Sequence, residues 1–323
     1  MEIIVSETAW QGRKAFTLEN SYLRAAVVPS IGAKLVSIFD KRQELEWLVG
    51  PGERPLRPVP YGASFIEQDM SGWDEMFPTI VACDYPGPGA RQGEKLPDHG
   101  EVWTLPWNCQ VSKNSITVSV EGQALPYQLT RIISFLKPDI LALTYRLQNL
   151  GEESMPYLWA AHPQFLCDER AVIELPASVE QVINTLSPEW GWGELESTLS
   201  WPEATSPGGE RVKLNVIGPP ELTRARKFYI PPTRRIRWAV LRRPAFDSWL
   251  RMSWDPDQVP YFGLWIDEGA ISSESVAAPE PATGFYDSLQ LAWEKGQVKT
   301  ILPGKEHRWS LSIQLGRGKT DLE

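Results

Sequence analysis

Three histidines are the first residues of this 323-residue sequence that could transfer protons. His99 lies in LPDHGEVW, after a long loop, and His162 lies in MPYLWAAHPQF, at the end of an apolar run. An imidazole titrates near neutral pH and can act as a general acid or base. His307, in PGKEHRW, lies among charges at a predicted turn, where a solvated histidine is the simplest interpretation. His99 and His162 are therefore the candidates.

Several carboxylates could form an acid–base pair with one of these histidines. Glu280 follows the apolar stretch SVAAP and precedes Pro281. An acid at the end of such a strand is costly to bury unless it is paired or used in chemistry. Asp74 in SGWDEMFP and Asp267 in LWIDEG are further candidates, although most carboxylates in loops are solvated.

Four of the 15 tryptophans, Trp73, Trp103, Trp159 and Trp265, lie close in sequence to these polar candidates. A flat aromatic face packs against the C–H groups of a sugar ring, while neighbouring polar groups bind its hydroxyls. The sequence therefore favours a carbohydrate ligand, although most tryptophans of a β-sandwich pack in its core.

Motifs for nucleophilic or cofactor-dependent catalysis are missing from the sequence, which has no GxSxG, P-loop or GxGxxG. Residues 224–251 combine eight Arg residues and one Lys with apolar residues at strand spacing. Solvated strand faces are the simplest interpretation of this segment, and contact with a sugar phosphate is the alternative.

The elements that position these residues are predicted to be β-strands. Apolar residues alternate in ILALTYRL at 140–147 and in WSLSIQL at 309–315, which is the period of a strand with one buried face. Similar runs, including LQLAWE at 289–294, are separated by turn residues. The 28 prolines and 24 glycines argue against long helices. We predict an all-β protein, either a sandwich or a barrel.

The sequence contains neither an evident linker nor an internal repeat, so we predict one domain over residues 1–323. Residues 48–100 are predicted to form an unusually long loop, and such loops often build binding sites.

Charge and hydropathy exclude several classes of partner. A net charge of −9 and a pI near 5.1 argue against a nucleic-acid-binding protein. No apolar run approaches the roughly 20 residues of a membrane span, and MEIIVSETAW lacks the pattern of a signal peptide. Cys83, Cys109 and Cys167 form neither a disulfide framework nor a CxxC pair. We therefore expect a cytoplasmic protein that binds neither membranes nor nucleic acid.

Several segments resemble, in the same order, the aldose 1-epimerases, also called galactose mutarotase-like proteins. They are GAKLVSIFDKRQELEWL, SGWDEMFPTI, LPDHGEVW, YLWAAHPQF and PYFGLWIDEG followed by SVAAPEPATGFYDSL. The resemblance implies a large antiparallel β-sandwich, the galactose mutarotase-like supersandwich, which agrees with the period of two. It also implies that SGWDEMFPTI is a loop.

The resemblance assigns the acid–base chemistry to three residues. It implies that His162 is the general acid, that Glu280 is the general base, and that His99 donates a hydrogen bond to the sugar. In this mechanism Glu280 removes the proton of the C1 hydroxyl while a charged His162 protonates the ring oxygen, and the opened ring recloses as the other anomer.

The resemblance also implies substrate-binding residues. Asp267 and Asp74 are the candidates for the binding aspartate, and Arg91 is the nearest option for a binding arginine. The proximity of tryptophans to the polar candidates, independently of the resemblance, makes Trp73 and Trp159 the candidates for contact with the sugar ring.

The predicted function is therefore that of an isomerase, an aldose 1-epimerase in a divergent branch, which acts on a small-molecule sugar or sugar phosphate. No C–H bond breaks in this reaction, so no cofactor or metal is expected. The sequence leaves open which sugar is bound and the oligomeric state.

Three alternatives stay open. His99, His162 and Glu280 are the ligand types of a His₂–carboxylate metal site, although no HxH or HxxxH spacing supports one. A non-catalytic carbohydrate-binding protein could use the same sandwich. A glycoside hydrolase or lyase is the third, but hydrolysis requires two facing carboxylates, so a His–Glu pair favours epimerisation.

Overall fold

The computed structural model describes residues 1–206 and 208–320, and the described part consists mostly of β-strands and turns. In chain order the strands are β1 (Ile4–Trp10), β2 (Arg13–Glu19), β3 (Leu23–Val28), β4 (Lys34–Asp40), β5 (Leu45–Glu46), β6 (Trp73–Met76), β7 (Cys83–Asp84), β8 (Lys95–Leu96), β9 (Asn108–Val111), β10 (Ser115–Glu121), β11 (Tyr127–Lys137), β12 (Ile140–Asn149), β13 (Met155–Tyr157), β14 (Ala160–Pro163), β15 (Phe165–Leu166), β16 (Val172–Glu174), β17 (Gln181–Asn184), β18 (Thr198–Ser200), β19 (Glu203–Thr205), β20 (Arg211–Lys213), β21 (Arg224–Tyr229), β22 (Trp238–Arg243), β23 (Ser248–Trp254), β24 (Tyr261–Glu268), β25 (Ser275–Ala282), β26 (Lys299–Ile301) and β27 (Glu306–Arg317). The helical elements of the described part are α1 (Leu289–Glu294) and four single-turn 3₁₀ helices, Phe65–Glu67, Pro188–Trp190, Pro220–Leu222 and Pro244–Phe246. The all-β prediction is confirmed.

Most strands lie in two antiparallel sheets. The large sheet has 13 strands, with the main order β1-β2-β3-β4-β6-β14-β25-β24-β21-β17-β18. The second sheet has eight, in the order β16-β22-β23-β27-β12-β11-β10-β9. Buried apolar residues of both sheets form one cluster, so the sheets pack face to face as the predicted sandwich. The extent of a single domain over residues 1–323 stays a prediction.

The second sheet follows the alternation that the sequence predicted. Leu143 is opposite Leu311, and Tyr145 is opposite Trp309, in the paired strands β12 and β27. All four side chains are buried, and the rings of Tyr145 and Trp309 stack with their centroids 5.3 Å apart. This face of the sheet packs on the large sheet.

The central strands of the large sheet are buried on both faces. All eight residues of β25 are buried, because the core covers one face and loops cover the other. The polar residues of these strands therefore cannot be explained by solvent on one face, and they mark the face on which the candidate site lies.

The segment 48–100 contains a central strand that the sequence interpretation missed. SGWDEMFPTI was expected to be a loop, but Trp73–Met76 forms β6, which lies between β4 and β14 with every residue buried. Two consecutive acidic residues in this short strand obscure the apolar alternation. The expectation of a loop here is wrong.

LQLAWE at 289–294 was expected to be a strand and is the helix α1. Ser288 caps its first turn, because the side-chain oxygen accepts a hydrogen bond from the Leu291 N–H at 3.3 Å. Leu289 and Ala292, three residues apart, are the buried positions. This spacing follows the period of a helix and not the alternation of a strand.

The basic segment 224–251 is not simply a set of solvated strand faces. Arg226 is buried and its guanidinium lies 2.6 Å from Glu268, while Arg243 is buried and lies 2.6 Å from Asp168. Lys227 is buried as well. These charges are retained in the interior because each is paired.

No helix of the described part has the length and apolar character needed to cross a membrane. Cys83, Cys109 and Cys167 are free thiols, in agreement with the sequence prediction.

Candidate active site

One row of residues crosses the large sheet and carries the predicted acid–base pair. His162 in β14 is opposite Asp74 in β6, and Glu280 in β25 is opposite Gly263 in β24. Pairing of β14 with β25 puts His162 and Glu280 on the same face, because opposed residues of antiparallel strands point the same way. The sheet thus brings together side chains that are distant in the sequence.

His162 and Glu280 face each other in the interior. Nε2 of His162 lies 3.5 Å from Oε1 of Glu280, and the two residues are 4% and 0% exposed. The Gln164 amide nitrogen lies 3.5 Å from Nδ1 of His162, and its donation to Nδ1 leaves the proton of a neutral imidazole on Nε2. Gly263 provides the room, since a Cβ there would lie 2.9 Å from the Tyr229 ring and 3.1 Å from Glu280.

The surroundings of Glu280 favour its protonated form. Burial raises the pKa of Glu280 to about 7, while Lys227 lowers it and Asp287 raises it. A carboxyl group with this pKa is half protonated near neutral pH, which suits a group that must take and return protons.

The surroundings of His162 favour a neutral imidazole. Burial holds the pKa of His162 well below its ordinary value, and the nearby His99, Lys227 and Lys34 lower it further. The sequence interpretation expected a charged His162, and for the free protein this expectation is wrong. Near neutral pH, Glu280 rather than His162 is the favoured carrier of a proton shared by the pair.

His99 reaches the same region from a turn. Its backbone has a φ of 57°, and its N–H donates to the Ile80 carbonyl at 2.5 Å. Nδ1 of His99 lies 2.9 Å from a carboxylate oxygen of Asp98, and the centroids of the His99 and His162 rings are 5.5 Å apart. His99 therefore lies beside the pair, where the resemblance expected a residue that binds the sugar.

Phe65, in the 3₁₀ helix Phe65–Glu67, packs against both imidazoles. Its ring stacks on His99 at 4.1 Å and meets His162 edge-on at 5.1 Å. Trp103 supports the ring from another side at 5.0 Å, and the Phe65 N–H donates to Asp98 at 2.9 Å. Phe65 is itself buried, so one aromatic ring lies against both imidazoles in the interior.

Lys227 in β21 holds the far side of Glu280. Its Nζ lies 3.2 Å from Oε2 of Glu280 and 3.0 Å from Oδ1 of Asp287. The Tyr229 hydroxyl donates to the same Asp287 oxygen at 2.9 Å. Within the described residues, neither Glu280 oxygen accepts a well-aligned hydrogen bond, so its contact with Lys227 is an ion pair.

A second lysine lies at the other end of the row. Nζ of Lys34 in β4 lies 2.7 Å from Asp69 and 2.9 Å from Asp74, and it donates to the Ser71 carbonyl at 3.0 Å. Burial raises the pKa of Asp74 to about 6. Neither Asp74 oxygen accepts a well-aligned hydrogen bond from the described protein groups. Asp74 thus keeps acceptor capacity beside His162.

Trp73 and Trp159, which were expected to contact the sugar, lie in the core between the sheets. Both are fully buried in the main apolar cluster, and Nε1 of Trp159 donates to Glu75 at 2.8 Å. Trp73 precedes Asp74 in β6, so its side chain points away from the site. The sugar-contact prediction for both tryptophans is wrong.

Asp267 and Arg91 are engaged elsewhere. Asp267 accepts hydrogen bonds from the N–H groups of Ala270 and Ser272 at 2.7 and 2.8 Å, which fixes the turn between β24 and β25. Arg91 lines a separate pocket with Tyr85, which contains neither histidine of the site nor Glu280. Asp267 therefore has a structural role, whereas the contact of Arg91 with a substrate has no support from this pocket and stays a prediction.

The His₂–carboxylate alternative has no support from the geometry. Across residues 1–206 and 208–320, no group of three or more His, Cys, Asp or Glu side chains is arranged to hold a metal ion. His99 directs one ring nitrogen to Asp98.

Sequence reasoning missed Lys34, Lys227, Asp287 and Phe65. The two lysines did give a signal, because each is a charge within an apolar strand run, GAKLVSIF and RKFYI. A charge at a position that alternation assigns to the interior requires a buried partner. Asp287 and Phe65 gave no such signal, because they lie outside the strands.

Comparison with solved structures identifies the fold. A galactose mutarotase-like protein from Clostridium acetobutylicum superimposes with a TM-score of 0.68 at 15% identity, over 98% of this chain and 99% of that chain. A galactose mutarotase-like protein from Lactobacillus casei gives 0.65 at 18% identity, over 94% and 100%. A galactose mutarotase related enzyme from Lactobacillus acidophilus gives 0.66 at 15% identity, over 96% and 99%.

The chain therefore has the galactose mutarotase-like fold that the sequence resemblance implied, at the low identities of a divergent branch. No protein-family model matches the sequence, and a search of curated proteins finds no match. The similarity to these solved structures establishes the architecture of the chain, whereas any inference about its chemistry depends on the residues of the candidate site.

Proposed function

We propose that this protein is a cofactor-independent aldose 1-epimerase, an isomerase that interconverts the α and β anomers of a sugar. The observation that carries the proposal is the buried pair of His162 and Glu280, with Nε2 and Oε1 3.5 Å apart. The pair lies on the site face of a galactose mutarotase-like sheet, beside His99. It can supply both proton transfers of ring opening.

In the proposed reaction, Glu280 accepts the proton of the C1 hydroxyl and His162 donates a proton to the ring oxygen. The ring bond breaks, the aldehyde rotates about C1–C2, and closure returns both protons. Ring opening leaves Glu280 protonated and His162 neutral, which is the state that the free protein favours. Substrate binding therefore has to move the shared proton to His162 before ring opening in these roles.

The charges of the site favour an uncharged sugar over a sugar phosphate. Lys34 and Lys227 are each within 3.2 Å of two carboxylates. A phosphate would compete with these fixed carboxylates and add charge to an acidic interior. Asp74 and His99 are the proposed ligands for the sugar hydroxyls.

The test is anomer exchange, measured by NMR magnetisation transfer between the two C1 protons of a panel of free and phosphorylated aldoses. We expect exchange above the buffer rate for at least one free aldose and weaker exchange for its phosphate. Glu280→Gln and His162→Asn should each lower kcat by about 10²-fold or more, because each removes one proton transfer.

Glu294→Gln is the matched control, because Glu294 is exposed at the end of α1 and its variant should retain full activity. Sugar binding without exchange would instead identify a non-catalytic carbohydrate-binding protein. An unchanged rate in Glu280→Gln would contradict the acid–base mechanism.

The cytoplasm is the proposed compartment, because Cys83, Cys109 and Cys167 are all free thiols.

A further inference from the structure

Lys227 occupies a position for which the proposed reaction has no direct use. Its ammonium group is buried within 3.2 Å of Glu280 and 3.0 Å of Asp287, so it bridges the proposed base and a second carboxylate. Burial of three ionisable groups is costly unless their arrangement is specific. The arrangement therefore needs an explanation beyond packing.

Asp287 is the fixed member of this bridge. The Tyr229 hydroxyl donates to its carboxylate at 2.9 Å, and its backbone carbonyl accepts hydrogen bonds from the N–H groups of Ile80 and Val81 at 2.9 and 2.8 Å. The Ile80 carbonyl in turn accepts the N–H of His99. One short segment thus anchors both Asp287 and the sugar-binding histidine.

Glu280 is the adjustable member. Neither of its oxygens accepts a well-aligned hydrogen bond within the described part of the chain, so the Lys227 ammonium is its closest charged anchor. Gly263 across the strand pair leaves the carboxylate space to turn between Lys227 and His162.

We propose that Lys227 is a positioning residue that orients Glu280 toward His162, and that Asp287 balances its charge so that Glu280 stays basic. An isolated ammonium at this distance would stabilise the Glu280 carboxylate and weaken it as a base. Because Asp287 neutralises most of that charge, the Lys227–Asp287 pair fixes geometry without a large gain in acidity. This inference rests on the proposed epimerase function.

The groups that face Glu280 determine the sign of each test. They are His162 from β14, Lys227 and Tyr229 from β21, and Asp287 after β25. The strand β24 contributes the uncharged Gly263. Lys34 and Asp74 lie farther away, beyond His162 in the row. Removal of the Lys227 charge raises the pKa of Glu280, and removal of the Asp287 charge lowers it.

The experiment compares Lys227→Met with Asp287→Asn. The active form carries one proton shared by the pair, and in the free protein Glu280 holds it, so we expect the basic limb of the pH profile of kcat/KM to move upward by about one pH unit in Lys227→Met and downward in Asp287→Asn. Activity of Lys227→Met at pH 7 should fall about tenfold or more. Lys227→Arg should have a pH profile close to that of the wild type, because it keeps the positive charge. If Lys227→Met does not fold, Lys227→Arg and Asp287→Asn are compared instead.

Lys299→Met is the control for loss of a lysine, because Lys299 lies in β26 and donates to the Asp257 carbonyl outside the site. Equal losses at every pH in both site variants, with no displacement of either limb, would overturn the proposal.

The titration of Glu280 can also be followed without activity, by infrared difference spectra of each protein against its Glu280→Gln counterpart. If the wild type catalyses no exchange, the proposed function fails, and a displaced infrared titration in Lys227→Met still supports the role of Lys227. If exchange occurs but Lys227→Met leaves the Glu280 titration unmoved, this inference fails and the proposed function stands.

Discussion

Asp74 and Glu75 are neighbours in β6, and both are fully buried, but they point to opposite faces of the large sheet. Glu75 faces the core, where Arg131, Tyr145 and Trp159 donate to it at 2.6, 2.8 and 2.8 Å. Asp74 faces the site, where Lys34 is its ion-pair partner at 2.9 Å. Glu75 accepts hydrogen bonds from three donors, whereas Asp74 retains more of its acceptor capacity.

The contrast between Asp74 and Glu75 distinguishes charges that stabilise this interior from charges that are available to a ligand. A buried carboxylate that several donors hold, as in Glu75, stabilises the sandwich. A buried carboxylate that accepts few hydrogen bonds raises the free energy of the folded state, and a ligand with hydroxyl donors can lower it by supplying those bonds. The same distinction separates Asp267, which caps a turn, from Glu280, which has no aligned donor among the residues that the structure describes.

The largest expected effect is on the core side. Arg131→Met leaves Glu75 as a buried charge without its cation, which should lower the free energy of unfolding by about 3–5 kcal/mol. Urea unfolding followed by tryptophan fluorescence measures the loss. A loss below about 1 kcal/mol would show that the contact of Glu75 with Arg131 does not stabilise the sandwich.

Asp74→Asn should change the free energy of unfolding in a pH-dependent way and in the opposite direction from Arg131→Met, because it removes a buried charge instead of leaving one without its partner. The pKa of Asp74 is raised to about 6 from an ordinary 3.8, so the folded protein binds this proton more tightly than the unfolded chain. Stability contributed by this group is present below about pH 4 and is lost as the pH rises to about 6. Relative to Asp74→Asn, the wild type should lose on the order of 3 kcal/mol over that range.

Urea unfolding of both proteins at several pH values between about 4 and 7 tests this prediction. Parallel stability curves would mean that Asp74 is as well accommodated as Glu75, and the contrast between the two faces would disappear.

Trp159→Phe should have a moderate effect on stability and none on sugar binding. The substitution removes one of the three donors to Glu75, at a cost of about 1–3 kcal/mol. Because the ring faces the core, the Kd for a sugar, measured by calorimetry, should stay within about twofold. A much weaker affinity would place Trp159 in the sugar site after all.

Arg91→Ala should have the smallest effect. Arg91 is exposed and lines a pocket away from the acid–base pair, so stability should change by less than about 0.5 kcal/mol. Exchange kinetics should match the wild type, and a raised KM would restore Arg91 as a substrate ligand.

The fold could be predicted from the sequence because β12 and β27 each have one buried face, so their apolar residues alternate. β6 could not, because it is short and both its faces are buried, with a carboxylate on each. α1 was mistaken for a strand because six residues are too few to separate the two periods by pattern alone.

The proximity of His162 and Glu280 could be predicted because both lie in recognisable segments, and their catalytic roles stay a proposal. The supports of this pair could not be predicted, because the bridge from Lys227 to Asp287 is formed only when separate parts of the chain meet. Trp73 was misassigned by proximity in sequence. In a strand, the residue next to Asp74 points to the opposite face, so adjacency argued against the assignment.

The contact of Phe65 with both imidazoles has a consequence for how such a site can diverge. The proposed acid–base pair, His162 and Glu280, belongs to hydrogen-bonded strands, whereas Phe65 belongs to a single-turn helix in a connecting segment. Substitutions in that segment can change the packing against both imidazoles without altering the register of any strand. In the proposed epimerase, the acid–base pair and the aromatic contact that covers it are therefore inherited on separate parts of the chain.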